Sequence, residues 1–151
     1  MALKAQLDND LKTALLGGDR FRAEVLRGLK AAILNEEVAK GKRDEGLDDA
    51  AVEQIIAREV KKRQDSAQQY EAAGRPELVE AEKAESAVLE TYLPEQLSEA
   101  DIKTVVDEII SNLGVSGPQA MGQVMGAVKG KLGNTADGAT VARLVKDALN
   151  S

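Results

Sequence analysis

The sequence predicts an all-α protein, with an N-terminal helical-hairpin domain at residues 1–93 and a small C-terminal three-helix bundle at residues 94–151. Apolar residues recur at helical spacing along most of the chain, which is typical of amphipathic helices. Aromatic residues make up only 2% of the sequence, so residue types that favour strands are scarce. Pro94 lacks an amide hydrogen and disfavours helical geometry at Leu93, so a helix should end there and separate the two domains.

Four helices are predicted in the first domain from their apolar stripes and end signals. Asp19 follows a glycine pair and is expected to cap the second helix, which should bury Phe21. Asp48 or Asp49 is expected to begin the third helix. A Gly-Arg-Pro sequence then separates the third helix from the fourth, because glycine favours a helix end and proline a helix start. The predicted spans are 3–16, 20–39, 48–73 and 76–92.

Two local features of the first domain lead to further expectations. Gly28 inside the second helix costs about 1 kcal/mol relative to alanine, so a close packing neighbour is expected beside it. The adjacent carboxylates Glu36 and Glu37 stand at polar positions and are expected to be exposed. Because burial is what shifts a carboxyl pKa far enough for acid–base work, such a pair is not a catalytic candidate.

Three shorter helices are predicted in the second domain. Ser98 is expected to cap the first of them, and Gly114 to end it. The next spans residues 119–131, and Thr135 or Asp137 is expected to cap the last. Leucines at 93 and 97 flank the break at Pro94 and should anchor it to both domains.

Composition excludes several classes of chemistry. The chain contains no cysteine and no histidine, which removes thiolate metal sites and the commonest general base. We therefore predict no catalytic residues, no metal site and no cofactor, and we expect no enzymatic activity from the chain by itself. The opening residues lack the pattern of a signal or transit peptide, and no apolar run is long enough to span a membrane. The expected location is cytoplasmic, with no membrane partner.

Net charge is −6, so any contact with nucleic acid must use a local basic patch. One candidate is a basic set on the second helix, Arg20, Arg22, Arg27 and Lys30, of which Arg27 and Lys30 are the candidate site residues. Another basic run, Arg58 to Arg63 on the third helix, is interleaved with acidic residues at helical spacing. That arrangement favours an ordinary solvated face.

A third candidate is the sixth helix, where Gly122, Gly126 and Gly130 recur every four residues and form one bare ridge. Each glycine costs a helix about 0.8–1.0 kcal/mol relative to alanine, so a close neighbour is expected. Two neighbours remain open: another helix of the same bundle, or a flat external surface such as an RNA base pair or backbone. Lys129 and Lys131 at the helix end would then contact phosphates.

Several of these segments together resemble the YqeY family, which is similar to the C-terminal tail of the GatB subunit of tRNA-dependent amidotransferase. The resemblance covers nearly the whole chain. It is carried by an Arg-Gly-Leu-Lys run in the second helix, the Gln-Asp-Ser and Gly-Arg-Pro-Glu-Leu segments, the joint and the glycine-rich helix. The two most specific segments are Tyr92-Leu93-Pro94-Glu95-Gln96-Leu97 and Met121-Gly122-Gln123-Val124-Met125-Gly126.

The resemblance implies an all-α fold and a role beside tRNA. The leading hypothesis is a non-catalytic tRNA-binding accessory module that works with a tRNA-dependent amidotransferase or an aminoacyl-tRNA synthetase in translation. One alternative is a protein–protein adaptor without RNA contact, which would show an exposed apolar patch on the second or sixth helix. Another is a subunit associated with a carbon–nitrogen ligase and active only in a complex.

Overall fold

The computed structural model describes residues 2–150, which contain α-helices and short 3₁₀ turns and no strand. The all-α prediction is therefore confirmed. In chain order the α-helices of these residues are α1 (Ala2–Leu16), α2 (Arg20–Ala39), α3 (Asp49–Ala72), α4 (Pro76–Glu90), α5 (Glu99–Leu113), α6 (Met121–Leu132) and α7 (Gly138–Leu149). The chain divides into two compact units, Met1–Leu93 and Pro94–Ser151.

Four of the helices begin at a side-chain cap. Asp19, Asp48, Ser98 and Asp137 each accept a hydrogen bond from the backbone amide three residues later. Such a bond satisfies one of the amides that a helix start leaves unpaired. The sequence left either Thr135 or Asp137 as the cap of α7. The structure identifies Asp137 as the cap, because Thr135 lies in a 3₁₀ turn before it.

The first unit pairs α3 with α4 as an antiparallel hairpin and places α1 and α2 beside them. The residues at the centre of its core are fully buried leucines and isoleucines of all four helices: Leu7, Leu26, Leu29, Ile56 and Leu89. The prediction that Phe21 is buried is wrong, because its side chain is 44% exposed. Phe21 lies in the first turn of α2, and the buried stripe begins two residues later at Ala23.

Gly28 also differs from expectation. It is exposed on α2, and within residues 2–150 a Cβ atom added to it would meet nothing closer than 4 Å beyond the adjacent backbone of α2. The predicted packing neighbour is absent, because the adjacent parts of the first unit pack on the opposite side of α2, at Leu26, Leu29 and Ile33.

The second unit packs α5, α6 and α7 against one another around a core of small aliphatic side chains. The joint is anchored as predicted, since Leu93 packs on the core of the first unit and Leu97 on that of the second. The Leu97 amide also donates a 2.8 Å hydrogen bond to the carbonyl of Thr135. Gly114 ends α5 in the left-handed conformation, at φ 65°. None of the helices within residues 2–150 is both long and apolar enough to cross a bilayer.

Candidate nucleic-acid interface

The glycine ridge lies on the outer face of α6. Gly122, Gly126 and Gly130 are all exposed, while Val124 and Val128 on the opposite side are fully buried. A Cβ atom added to any of the three glycines would meet no atom of another described residue within 4 Å, apart from the adjacent backbone of α6 itself. The face is therefore bare backbone that is open to solvent along two turns of the helix.

Of the two neighbours proposed for this ridge, the one within the bundle is wrong. The neighbouring helices contact α6 through its valine side, so none of the helices that the structure describes covers the glycines. The chain thus carries three helix-destabilising residues, at about 0.8–1.0 kcal/mol each, and no internal packing offsets their cost. An external surface remains the open alternative.

Both lysines of the candidate site stand in the last turn of α6. The Lys131 ammonium lies 3.9 Å from a carboxylate oxygen of Glu108 on α5, and both side chains are more than half exposed. Lys129 is exposed and forms no ion pair with any residue that the structure describes. Cations at a helix C-terminus also stabilise the helix dipole, so part of their role is structural.

The sequence that contains α6 is free of acidic residues, a signal of local charge that the candidate residues alone do not reveal. Between Glu108 and Asp137 the chain contains no aspartate or glutamate, and its only charged side chains there are the two lysines. Because the whole chain carries a net charge of −6, this stretch is a local departure toward positive charge.

The second candidate set, Arg27 and Lys30, lies in the first unit, so it is not part of the same compact body as α6. Arg27 is exposed and forms no ion pair within residues 2–150. The Lys30 ammonium lies 2.6 Å from the Asp8 carboxylate, which compensates its charge. Of this set only Arg27 offers an uncompensated charge.

The basic run on α3 forms the ion pairs that its spacing predicts. Lys61 lies 3.7 Å from Asp65, and Arg63 lies 3.2 Å from Glu59. Arg58 pairs across to Glu36 on α2 at 3.4 Å. This face is a network of local charge pairs, which supports the interpretation made from the sequence.

Glu37 is buried, contrary to the expectation that both adjacent carboxylates are exposed. Its carboxylate accepts a 2.6 Å hydrogen bond from the Lys4 ammonium and a 3.0 Å bond from the Leu47 amide. The Lys4 hydrogen bond outweighs the effect of burial and lowers the pKa of Glu37 below its ordinary value of 4.5. The group therefore holds α1, α2 and the following loop together as a fixed anion, and it is poorly suited to deliver a proton.

Tyr92, in the segment before the joint, forms a second polar anchor that the sequence did not reveal. Its hydroxyl donates a 2.6 Å hydrogen bond to Asp10 and accepts a 3.0 Å bond from Arg22. Burial, followed by the hydrogen bond to Asp10, raises the pKa of Tyr92 to about 12. Both partners come from the first two helices, so this anchor is also structural.

A polar groove of about 440 Å³ runs between α3 and α4. Ser86 and Lys83 both line it: the buried Ser86 donates a 3.3 Å hydrogen bond from its hydroxyl to Glu90, and Lys83 is exposed. Neither a buried lysine nor the buried Glu37 lines it. Within residues 2–150, no three acidic side chains are grouped as a metal site would require.

A family model described as "Yqey-like protein" matches residues 4–149 of the chain. Among curated proteins, the chain is similar to "Altered inheritance of mitochondria protein 41, mitochondrial" of three yeasts. In Lachancea thermotolerans the identity is 33% over 117 residues, which cover 76% of this chain and 61% of the relative. In Kluyveromyces lactis it is 32% over 131 residues, covering 84% and 69%. In Saccharomyces cerevisiae it is 31% over 111 residues, covering 71% and 58%.

These names contradict the cytoplasmic location predicted from the sequence, because each relative is named as a mitochondrial protein. The prediction was wrong because it rested only on the absence of a targeting pattern and of a membrane span, and neither absence specifies a compartment.

Proposed function

Because the chain belongs to the YqeY family, we propose that it is a non-catalytic tRNA-binding accessory module that works beside a tRNA-dependent amidotransferase or an aminoacyl-tRNA synthetase. The observation that carries the proposal is the uncovered glycine ridge of α6. Its three glycines destabilise the helix, and a ligand that requires close contact with the backbone accounts for their cost.

The glycine ridge would contact RNA by complementary shape. Helix amides are already paired within α6, so the bare ridge offers van der Waals surface rather than hydrogen-bond donors. The minor groove of an RNA helix is wide and shallow, and the stacked pairs at the tRNA elbow are similarly flat, so either surface fits a ridge without side chains. Lys129 and Lys131 would contact phosphates, which position the protein without reading the base sequence.

Affinity of the free chain should be low. Two phosphate contacts correspond to a slope of log affinity against log salt of about −1.4 to −1.8, against a net protein charge of −6. Covalent or stable association with a partner enzyme would raise occupancy through effective concentration rather than through new contacts. This is the behaviour expected of an accessory module.

A mobility-shift titration of the chain against unfractionated tRNA at low salt tests the proposal. The decisive variant is Gly126→Gln, which places a side chain on the ridge and should weaken binding at least about tenfold. Gly28→Gln is the matched control, because Gly28 is an equally open helical glycine on α2 and should leave binding unchanged. Lys129→Gln should weaken binding and reduce the salt slope by about one.

Two outcomes would contradict the proposal. One is the absence of any shift at about 500 µM protein. Even non-specific nucleic-acid binding is tighter than this concentration would require, and a specific RNA-binding surface should bind more tightly still. The other is equal binding by the Gly126→Gln and Gly28→Gln variants, which would show that RNA contacts another face.

The adaptor alternative has one observation in its favour, on α2 and not on α6. The outer face of α6 carries no large apolar side chain, whereas Leu34 and Val38 on α2 are 43% and 57% exposed. RNA binding that is lost with Gly126→Gln would distinguish the leading proposal from an adaptor without RNA contact. An activity seen only in a complex with a carbon–nitrogen ligase would favour the remaining alternative.

A further inference from the structure

The outward face of α2 carries a second amphipathic pattern, opposite the stripe that is buried in the core. Exposed residues recur there at alternating spacings of four and three: Arg20, Glu24, Arg27, Ala31, Leu34 and Val38. This alternation is the seam spacing of two helices that pack side by side. Its three C-terminal members are apolar, and solvent exposure of Leu34 and Val38 in the isolated chain is what an unfilled seam would show.

We propose that this face of α2 packs against the same face of a second copy of the chain, with the two helices antiparallel and related by a two-fold axis level with the peptide between Ala32 and Ile33. In this register Ala31 faces Leu34 of the second copy, and Leu34 faces its Ala31. Small and large side chains therefore interdigitate across the seam. Every contact occurs twice, as closed two-fold symmetry requires.

The charges at the ends of the seam complement one another in the same register. Glu24 faces the turn at Gly41 of the second copy, beside Lys42. Glu24, Lys42 and Arg43 are all exposed and form no ion pair among the described residues. Asp44 and Glu45 follow in the same loop, so the attraction is local to Lys42 and Arg43.

Arg27 lies one turn further in and faces Val38 of the second copy. Its aliphatic stem would cover that valine, and its guanidinium would approach the carbonyl end of the opposing α2, where the helix dipole favours a cation. This assigns the unpaired charge of Arg27 to a protein contact. Its apolar neighbours Ala31 and Leu34 suit a helix better than they suit RNA.

Other alignments of the two α2 helices would give less favourable contacts. A shift of one heptad in one direction places Glu24 on Leu34 of the second copy, which would bury a carboxylate against an apolar side chain. The opposite shift moves Ala31 beyond the end of the opposing helix, which closes at Ala39, and leaves only Leu34 and Val38 in contact. The size and charge patterns therefore select the same single register.

The seam is short, so the association should be weak. Its central part consists of Arg27, Ala31, Leu34 and Val38 on each copy, against roughly 20–30 residues a side in a standard stable interface. We expect a dissociation constant between about 10 µM and 1 mM. This inference concerns the first unit alone and does not depend on the RNA-binding proposal for α6.

Sedimentation velocity across a concentration series tests the dimer. The parent chain should show a mean sedimentation coefficient that rises with concentration, and Leu34→Asp should raise the dissociation constant at least about tenfold. Leu16→Asp is the matched control, because Leu16 is 80% exposed and lies off this face. Circular dichroism verifies that both variants keep their helix content.

A charge exchange tests the register. Glu24→Lys and Lys42→Glu should each weaken association at low salt, and the double variant should restore it, because each copy then offers the opposite charge to the other. A chain that stays monomeric at about 1 mM, an unchanged dimer in Leu34→Asp, or a double variant no better than the single ones would overturn the proposal. An α6 variant that loses RNA binding but still dimerises would show that the α2 face associates independently of the α6 ridge.

Discussion

The hydroxyl of Tyr92 donates a 2.6 Å hydrogen bond to the carboxylate of Asp10, which lies 82 residues earlier in the chain. The same hydroxyl accepts a hydrogen bond from Arg22, whose guanidinium carbon lies 6.0 Å from the centre of the ring. One side chain thus joins the end of α4 to α1 and α2. The segment that leads into the joint is held by this partly buried polar contact as well as by apolar packing.

Replacing Tyr92 with phenylalanine should destabilise the first unit. The change removes one hydroxyl and leaves Asp10 and Arg22 each with one fewer partner in a partly buried setting, at a cost of about 1–3 kcal/mol. Urea unfolding followed by circular dichroism would measure it. Tyr70→Phe serves as the control, because the Tyr70 hydroxyl forms no hydrogen bond within the described residues. Equal midpoints for the two variants would mean that the Tyr92 contacts contribute nothing measurable.

High pH should weaken the fold through the same side chain. The pKa of Tyr92 is raised from 10 to about 12, so the folded state binds the phenolic proton more tightly than the unfolded state does. The resulting stability is fully present below pH 10 and is lost as pH rises through 12. Urea midpoints measured over that range should fall more steeply for the parent chain than for Tyr92→Phe. Parallel curves would show that the shift is absent.

Low pH should also weaken the fold, through Glu37, because the pKa of Glu37 is shifted in the opposite direction to that of Tyr92. Its pKa is lowered below 4.5, chiefly by the Lys4 hydrogen bond, so the unfolded state binds the proton more tightly. The resulting stability is present above pH 4.5 and is lost as pH falls through the lowered value.

Glu37→Gln should therefore cost about 1.5–3 kcal/mol at neutral pH and flatten the acid limb of the stability curve. Urea midpoints from neutral pH down to about 3 would measure both effects. Glu45→Gln, in the exposed loop before α3, is the control and should leave the curve unchanged. An acid limb of the same steepness in Glu37→Gln would show that another carboxylate is responsible.

Alanine at the α6 glycines should separate stability from binding. Because an added Cβ meets nothing at Gly122, Gly126 or Gly130, each single change to alanine should raise the free energy of unfolding by up to about 1 kcal/mol. If RNA requires the bare ridge, the triple alanine variant should bind it more weakly although it is more stable. Thermal unfolding and the tRNA titration measure the two effects, and Gly28→Ala should give the gain in stability without the loss of binding. Unchanged tRNA affinity in the triple variant would argue against the bare ridge as the RNA contact.

Local chemistry in the sequence determined the all-α class, the helix caps at Asp19 and Ser98, the glycine end of α5 and the break at Pro94. These features depend on residues within about four positions of one another, where spacing and cap chemistry dominate. Only the tertiary structure decided that Phe21 is exposed, that Glu37 is buried against Lys4, and that Tyr92 reaches Asp10. Burial and long-range hydrogen bonds depend on which helix faces meet, and an amphipathic stripe does not specify its partner. The open side of α6 was decided in the same way: the glycine spacing predicted a close neighbour without identifying it, and the packing of α5 and α7 on the valine side left the ridge uncovered within the described residues.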